Sequence, residues 1–269
     1  MRGKWWVPLL LLAVIAAGWA IGRYTAPAPS AGDSAATEQQ ELNGGAASTA
    51  ASGSEVSPAP SPSGEPGGNE VRQADTEPDS IGVIVNKEYG LEDGYKPDDL
   101  VYPDVPFIFK EKIEKRMLRK EAAAALEEMF AGAEKDDVYL AGVSGYRSEA
   151  TQTVLFDNYV KKDGEEKART YSAVPGHSEH QTGLAIDLSG RDGTCAAESC
   201  FAGTKEADWL AQHAPDYGFI IRYPEGKEAI TGYMYEPWHV RYVGKELART
   251  LTEQGLTLEE YYNAVPVSK

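Results

Sequence analysis

The chain has 269 residues, 42% hydrophobic and 25% charged, with 42 acidic against 26 basic side chains and a formal net charge of −16. A chain this acidic lacks the basic footprint that nucleic acid requires. Two cysteines are too few for a structural thiolate zinc site, and the length admits one or two domains.

Residues 5–22 are uncharged and almost wholly apolar, with Arg2 and Lys4 ahead of them and Arg23 behind. A membrane-spanning helix needs about 20 apolar residues, and positive charge ahead of the run predicts a cytoplasmic N-terminus with the remainder exported. Residues 1–23 therefore read as a single-pass anchor. The competing reading is a cleaved signal peptide, which would leave a secreted protein. Ala26-Pro27-Ala28 resembles a cleavage site, but Pro29 and the length of the run weigh against it. Residues 24–80 are Ala, Gly, Ser, Pro, Glu and Gln with scarcely a large apolar side chain. They bury too little to offset ordering entropy and read as a disordered tether. Residues 81–269 have globular composition, enough for one ordinary domain.

Within that domain Gly82 to Lys87 reads as a short strand, and Leu91 to Pro106 as an extended Pro- and Asp-rich surface segment. Glu111 to Gly132 shows helical spacing through Ile113, Met117, Leu118, Ala122, Ala125, Leu126 and Met129, with Gly132 as terminator. Val138 to Ser144 alternates as a strand. After the loop Gly145-Tyr146-Arg147-Ser148, a helix runs to about Lys162, with Ser148 as its N-cap. Asp163-Gly164 opens a polar loop. Ala185 to Leu188, Phe219 to Tyr223 and Trp238 to Val243 read as strands. Glu206 to His213, Gly244 to Gln254 and Leu258 to Ala264 read as helical. Strands and helices mix without βαβ alternation, so the fold class is α+β, an antiparallel sheet with flanking helices forming the floor of a cleft. Cys195 and Cys200 lie five apart in a Gly-rich polar stretch. In an exported domain they form either a local disulfide or two free thiols.

Two runs carry the chemistry: Ser178-Glu179-His180-Gln181-Thr182-Gly183-Leu184-Ala185-Ile186-Asp187 and Glu236-Pro237-Trp238-His239. They offer two imidazoles and a carboxylate for a metal, plus a second carboxylate to act on metal-activated water, the inventory of a catalytic zinc site with one open position. Gly183 permits a turn that brings His180 back toward Asp187. Asp187 interrupts an apolar run, which is costly unless it binds a cation or pairs with a buried ion. Pro237 fixes the backbone and Trp238 can face the core, leaving Glu236 beside the metal without ligating it. Taken alone, this second run also reads as a strand-end Glu and a core histidine. His177 reads as a surface residue or one behind the ligands, and His213 as packing near its helix end. Ser178 either touches substrate or stabilises its loop. No Gly-x-Ser-x-Gly elbow and no Cys with a neighbouring His supports a nucleophilic hydrolase.

The pattern Ser-x-His-x-x-Gly-x-Ala-x-Asp followed by Glu-x-x-His resembles the zinc D-Ala-D-Ala metallopeptidases, related to lysostaphin-type peptidases and hedgehog domains. Pro175 to Ala185, and Tyr217 to Pro224 running on to Tyr235 to His239, are most similar to the VanY-type D-alanyl-D-alanine carboxypeptidases, and the likeness spans about residues 82–262. The resemblance implies one Zn²⁺ held by His180, Asp187 and His239, with Glu236 as catalytic base. It also implies that Arg147 stabilises substrate or tetrahedral intermediate and that Gln152 contacts substrate. Without it, Arg147 reads as a surface charge. The implied reaction is removal of the terminal D-Ala from peptidoglycan stem pentapeptides; the N-terminal run separately places the domain, expected to be a monomer, outside the cytoplasm. The alternatives are an L,D-carboxypeptidase acting on tetrapeptides and a non-catalytic zinc-containing cell-wall module. An intact Glu236 argues against the last.

Overall fold

Short apolar runs separated by turns give two sheets. The computed structural model describes residues 72–264. The expected anchor and most of the expected tether lie outside the described residues, among which no helix is long and apolar enough to cross a membrane. Strands β1 (Leu100–Val101) and β2 (Leu118–Arg119) form a small antiparallel ribbon. Strands β3 (Leu140–Ser144), β4 (Ala185–Gly190), β5 (Phe219–Ile221) and β6 (His239–Tyr242) form the main sheet in the order β3-β4-β6-β5, with every neighbour antiparallel. The helices are α1 (Lys120–Lys135), α2 (Glu149–Asp163), α3 (Glu165–Ala168), α4 (Lys205–His213), α5 (Glu228–Thr231), α6 (Lys245–Gln254) and α7 (Leu258–Tyr261). The architecture is α+β with antiparallel sheets, as expected.

The side-chain period of two divides the main sheet into unlike faces. Leu184, Ile186 and Leu188 around β4, Phe219 of β5, and Val240 and Tyr242 of β6 join one apolar core with Leu126 and Met129 of α1 and Leu210 of α4. Truncating a fully buried leucine such as Leu126 to Ala costs about 2–5 kcal/mol. The intervening residues Asp187, His239 and Arg241 therefore share the other face. There Asp187 lies directly across from His239 in the β4–β6 ladder, and Ser144 pairs with Asp187 after a register shift in β3. Ile220 on that side joins Ala248, Leu251 and Leu258 in a smaller cluster that seats α6 and α7.

Three local expectations are corrected. The helix expected from Glu111 begins only at Lys120, because residues 114–116 form a 3₁₀ turn and Leu118–Arg119 pair with β1. Gly132 does not end α1, which runs on to Lys135. A Cβ on Gly132 would stand 1.9 Å from Tyr217 Oη, so the glycine permits close packing. Gly82 to Lys87 is buried as far as Asn86 but forms no strand, since the carbonyls of Ile81 and Val83 accept from the Arg241 guanidinium at 3.1 and 2.8 Å instead of from a neighbouring strand. Two further details emerge. The polar loop after Gly164 contains the short helix α3. Residues 72–80 pack on the domain through polar contacts that leave no apolar signature: Arg72 over the Tyr261 ring at 4.1 Å, and the Asp75 carbonyl accepting from Ile84 N–H at 2.8 Å.

Candidate metal centre

Each of the three expected ligands is held by a different piece of backbone. His180 lies in a 3₁₀ turn, Glu179–Thr182, that Gly183 closes in the left-handed region at φ 68°. Its Nδ1 sits 2.8 Å from the Gly145 carbonyl. A carbonyl only accepts, so Nδ1 carries the proton and Nε2 is free for a cation. Asp187 comes from the central strand and His239 from its neighbour. His180 Nε2 lies 3.3 Å from Asp187 Oδ2, and His239 Nδ1 lies 3.0 Å from Asp187 Oδ1. One ligand atom from each residue falls within 4.8 Å of the others, and all three side chains are buried. Zinc bonds of about 2.0–2.2 Å in a tetrahedron set ligand atoms roughly 3.4 Å apart, and each imidazole nitrogen meets one oxygen of the Asp187 carboxylate near that spacing, so two nitrogens and a carboxylate suit the ion.

The electrostatics agree with that donor set. Burial would raise the Asp187 carboxyl, yet its hydrogen bond from protonated His239 holds it below the usual carboxylate range. Burial, with Arg147 adding to it, lowers His180 and keeps it neutral, the form that ligates. His239 is lifted to about 9: its hydrogen bonds to Asp187 and Glu179 outweigh its burial. A site that draws a proton onto an imidazole between two carboxylates is one where a cation belongs, and metal loading displaces that proton.

Glu236 stands beside the trio, 4.0 Å from His239 Nδ1. Its amide donates to the Tyr223 carbonyl at 3.1 Å, and its carbonyl accepts from His239 N–H at 3.2 Å, so Glu-Pro-Trp-His is a turn that presents both side chains to one point. Trp238 packs into the apolar core while also lining the cleft. Burial pushes Glu236 up to about 8 against the pull of His239. A carboxyl raised toward neutrality next to a cation site is suited to moving protons.

Arg147 also faces this point, with Nη2 4.0 Å from Asp187 Oδ2. Its Nη1 donates to Gln152 Oε1 at 2.9 Å and its Nη2 to Ser144 Oγ at 3.1 Å. Gln152 is fully buried and donates its amide to the Ala173 carbonyl at 2.6 Å, so its polar groups support Arg147 rather than face the cleft. Ser178 is buried and lines the cleft. Ser148 caps α2, accepting from Thr151 N–H. His177 lies apart, bonded to the Asn86 carbonyl at 2.7 Å, and His213 packs on Trp209 at 4.9 Å between ring centroids.

The cleft holds about 550 Å³, with Leu155 and Tyr159 of α2 and Tyr171 among its lining. Ala197 to Ser199 also line it, in a loop closed by a Cys195–Cys200 disulfide. That loop, Tyr223 and Tyr233 carry no ligand or acid–base signal, so sequence reasoning passes over them, although Tyr233 lies three residues before Glu236. Glu179 sat within the first run but offered no signal there of its role.

Comparison with known proteins agrees with this geometry. The VanY family, described as D-alanyl-D-alanine carboxypeptidase, matches residues 115–245. The putative carboxypeptidase YodJ of Bacillus subtilis (strain 168) is 50% identical over 202 residues, which cover 73% of this chain and 74% of YodJ. The structure of LdcB, an LD-carboxypeptidase described in terms of peptidoglycan recognition, is 50% identical with a TM-score of 0.67, covering 74% of this chain and 94% of LdcB. A VanY D,D-pentapeptidase variant from a VanB-type resistance cassette, in complex with Zn(II), is 34% identical with a TM-score of 0.54, covering 67% of this chain and 98% of its own. With its fold, its convergent histidine runs and these relatives in agreement, the chain belongs to the VanY family of D-alanyl-D-alanine carboxypeptidases.

Proposed function

We propose that the protein is a zinc carboxypeptidase that releases the terminal D-alanine of peptidoglycan stem pentapeptides, with His180, Asp187 and His239 as the metal ligands. The observation that carries this reading is the convergence of those three groups beside a buried Glu236 in a peptide-sized cleft. A zinc ion there supplies Lewis-acid polarisation of the scissile carbonyl and acidifies the attacking water. Glu236 takes the proton from that water and returns it to the departing amine. Arg147, fixed by Gln152 and Ser144, offers its guanidinium to the developing oxyanion or to the substrate's terminal carboxylate. Ser178 lines the same cleft as a substrate contact. The N-terminal apolar run tethers this domain, as a monomer, to the outer face of the membrane. Recovery of the full chain in the soluble fraction of cells would refute the tether.

The 50% identity to LdcB favours a second specificity, an L,D-carboxypeptidase acting on tetrapeptides that end in a single D-Ala. Free D-alanine released from a pentapeptide ending in D-Ala-D-Ala, and from a tetrapeptide lacking the last residue, separates the two. Release from the first alone supports the D,D reading and release from the second alone the L,D reading. Release from neither by zinc-loaded protein would refute both in favour of a binding module.

Arg147→Lys is expected to impair turnover well beyond a conservative exchange, since lysine keeps the charge but loses the planar fork. Steady-state kinetics on free and C-terminally amidated peptides identify its target. A fall in kcat with KM unchanged means oxyanion stabilisation. A raised KM, with amidated peptides poor substrates of the parent, means a carboxylate clamp. Unchanged kinetics would remove Arg147 from the site.

A further inference from the structure

Beneath the cleft lies a closed set of buried ions that the reaction does not consume. Glu179 Oε1 accepts from Arg222 Nε and from Arg241 Nη1, both at 2.7 Å. Arg222 is gripped again by Glu259 of α7, with Nη1 2.9 Å from Oε2 and Nη2 2.5 Å from Oε1. Asn86 Nδ2 donates to Glu259 Oε1 at 3.0 Å. The side chains of Glu179, Arg222, Glu259 and Arg241 have no solvent exposure at all. Two carboxylates and two guanidiniums balance in charge, but taking each ion out of water costs several kcal/mol, and apolar residues of similar shape are often at least as stable. Stability is therefore a poor reason for such a cluster, and its geometry suggests another. The second oxygen of Glu179, Oε2, lies 3.3 Å from His239 Nε2.

We infer that Glu179 is a positioning residue for the metal centre: clamped by Arg222 and Arg241, it takes the Nε2–H of His239 and thereby presents Nδ1 as the ligand atom. This inference rests on the metal reading of the site. When His239 gives up one proton to ligate, an imidazole flanked by acceptors at both nitrogens has an ambiguous tautomer. The 3.0 Å contact of His239 Nδ1 with Asp187 would by itself favour a proton on Nδ1, which is the wrong nitrogen for ligation. A carboxylate fixed at Nε2 resolves the ambiguity. The Tyr223 ring, 5.0 Å from the imidazole, limits how far it can tilt. Through Glu259 and Asn86 the same clamp joins α7 and the segment before α1 to the metal ligand, which explains why both ends of the domain close on this one point.

Glu179→Gln provides the test. With its one acceptor oxygen held by two guanidiniums, the glutamine would turn its NH₂ toward His239 Nε2 and force the proton onto Nδ1. Zinc affinity of the metal-free, purified full chain, measured by chelator competition, should fall about 10–100-fold, the usual effect of losing a partner behind a ligand. Circular dichroism of the metal-free variant separates this from general disruption: the uncompensated buried guanidinium lowers its melting temperature, but at the temperature of the zinc titration its spectrum should match the parent's. Arg222→Lys keeps the charge balance and loosens the clamp, so it should weaken zinc in the same direction by a smaller factor even if Glu179→Gln does not fold. Unchanged affinity in either folded variant, with the parent binding zinc, would overturn the positioning role alone. A parent that binds no zinc would overturn the metal reading with it.

Discussion

Replacing Glu236 with alanine is expected to lower kcat about 10²–10⁴-fold, the usual worth of general acid–base catalysis, while one zinc per chain and the fold are retained. The separation of these two readouts follows from the geometry. Glu236 stands 4.0 Å from the nearest ligand nitrogen, and the trio is complete without it. The backbone hydrogen bonds that shape its turn run through its amide and carbonyl, which alanine keeps. The pH profile gives an independent check. Burial raises the Glu236 carboxyl to about 8 in the metal-free protein. A divalent cation beside it favours the carboxylate, so the working value lies below that figure. A base must be ionised to act, so activity of the parent should rise with pH through the working value, and the residual activity of the variant should lose that acidic limb. A variant within a few-fold of parental kcat would mean that another group moves the proton.

The parts of this arrangement that were legible in the sequence are those written locally. Asp187 interrupts an apolar strand, and Glu236 and His239, which taken alone read as a strand-end Glu and a core histidine, gain their meaning beside that first run. The four strands of the main sheet, Val138 to Ser144 by its alternation and the others as short apolar runs, lie within two residues of their expected bounds. What was illegible depends on partners far away in the chain. Leu118 has helical spacing with Leu126, but pairing with β1 decides its conformation. Gly132 resembles a helix terminator until Tyr217 is seen against it. Arg222 and Arg241 look like ordinary strand-side cations, and nothing nearby announces that both converge on Glu179. Gln152 shows the same limit. Its expected role beside substrate came from family likeness, whereas full burial and its bond to Arg147 give it a supporting geometry.

His239→Ala is expected to cost the metal itself, and hence nearly all activity. Structural zinc sites with four ligands bind with about 10–16 kcal/mol, or on the order of 3 kcal/mol per ligand, so loss of one should weaken zinc by roughly two orders of magnitude or more. The loss should be larger here than a simple count suggests. His239 is directly opposite Asp187 in the sheet and bonded to it, so its removal also frees the carboxylate that must bridge toward His180. The fold should survive, because Glu179 keeps both arginines and the apolar face of β6 is untouched. His177→Ala is the matched control: it removes an imidazole bonded to the Asn86 carbonyl, outside the trio, and should leave zinc content unchanged. Metal analysis after dialysis against a weak chelator reads both variants directly. Full zinc retention in His239→Ala, or equal loss in His177→Ala, would mean that the ion is held by a different set of residues.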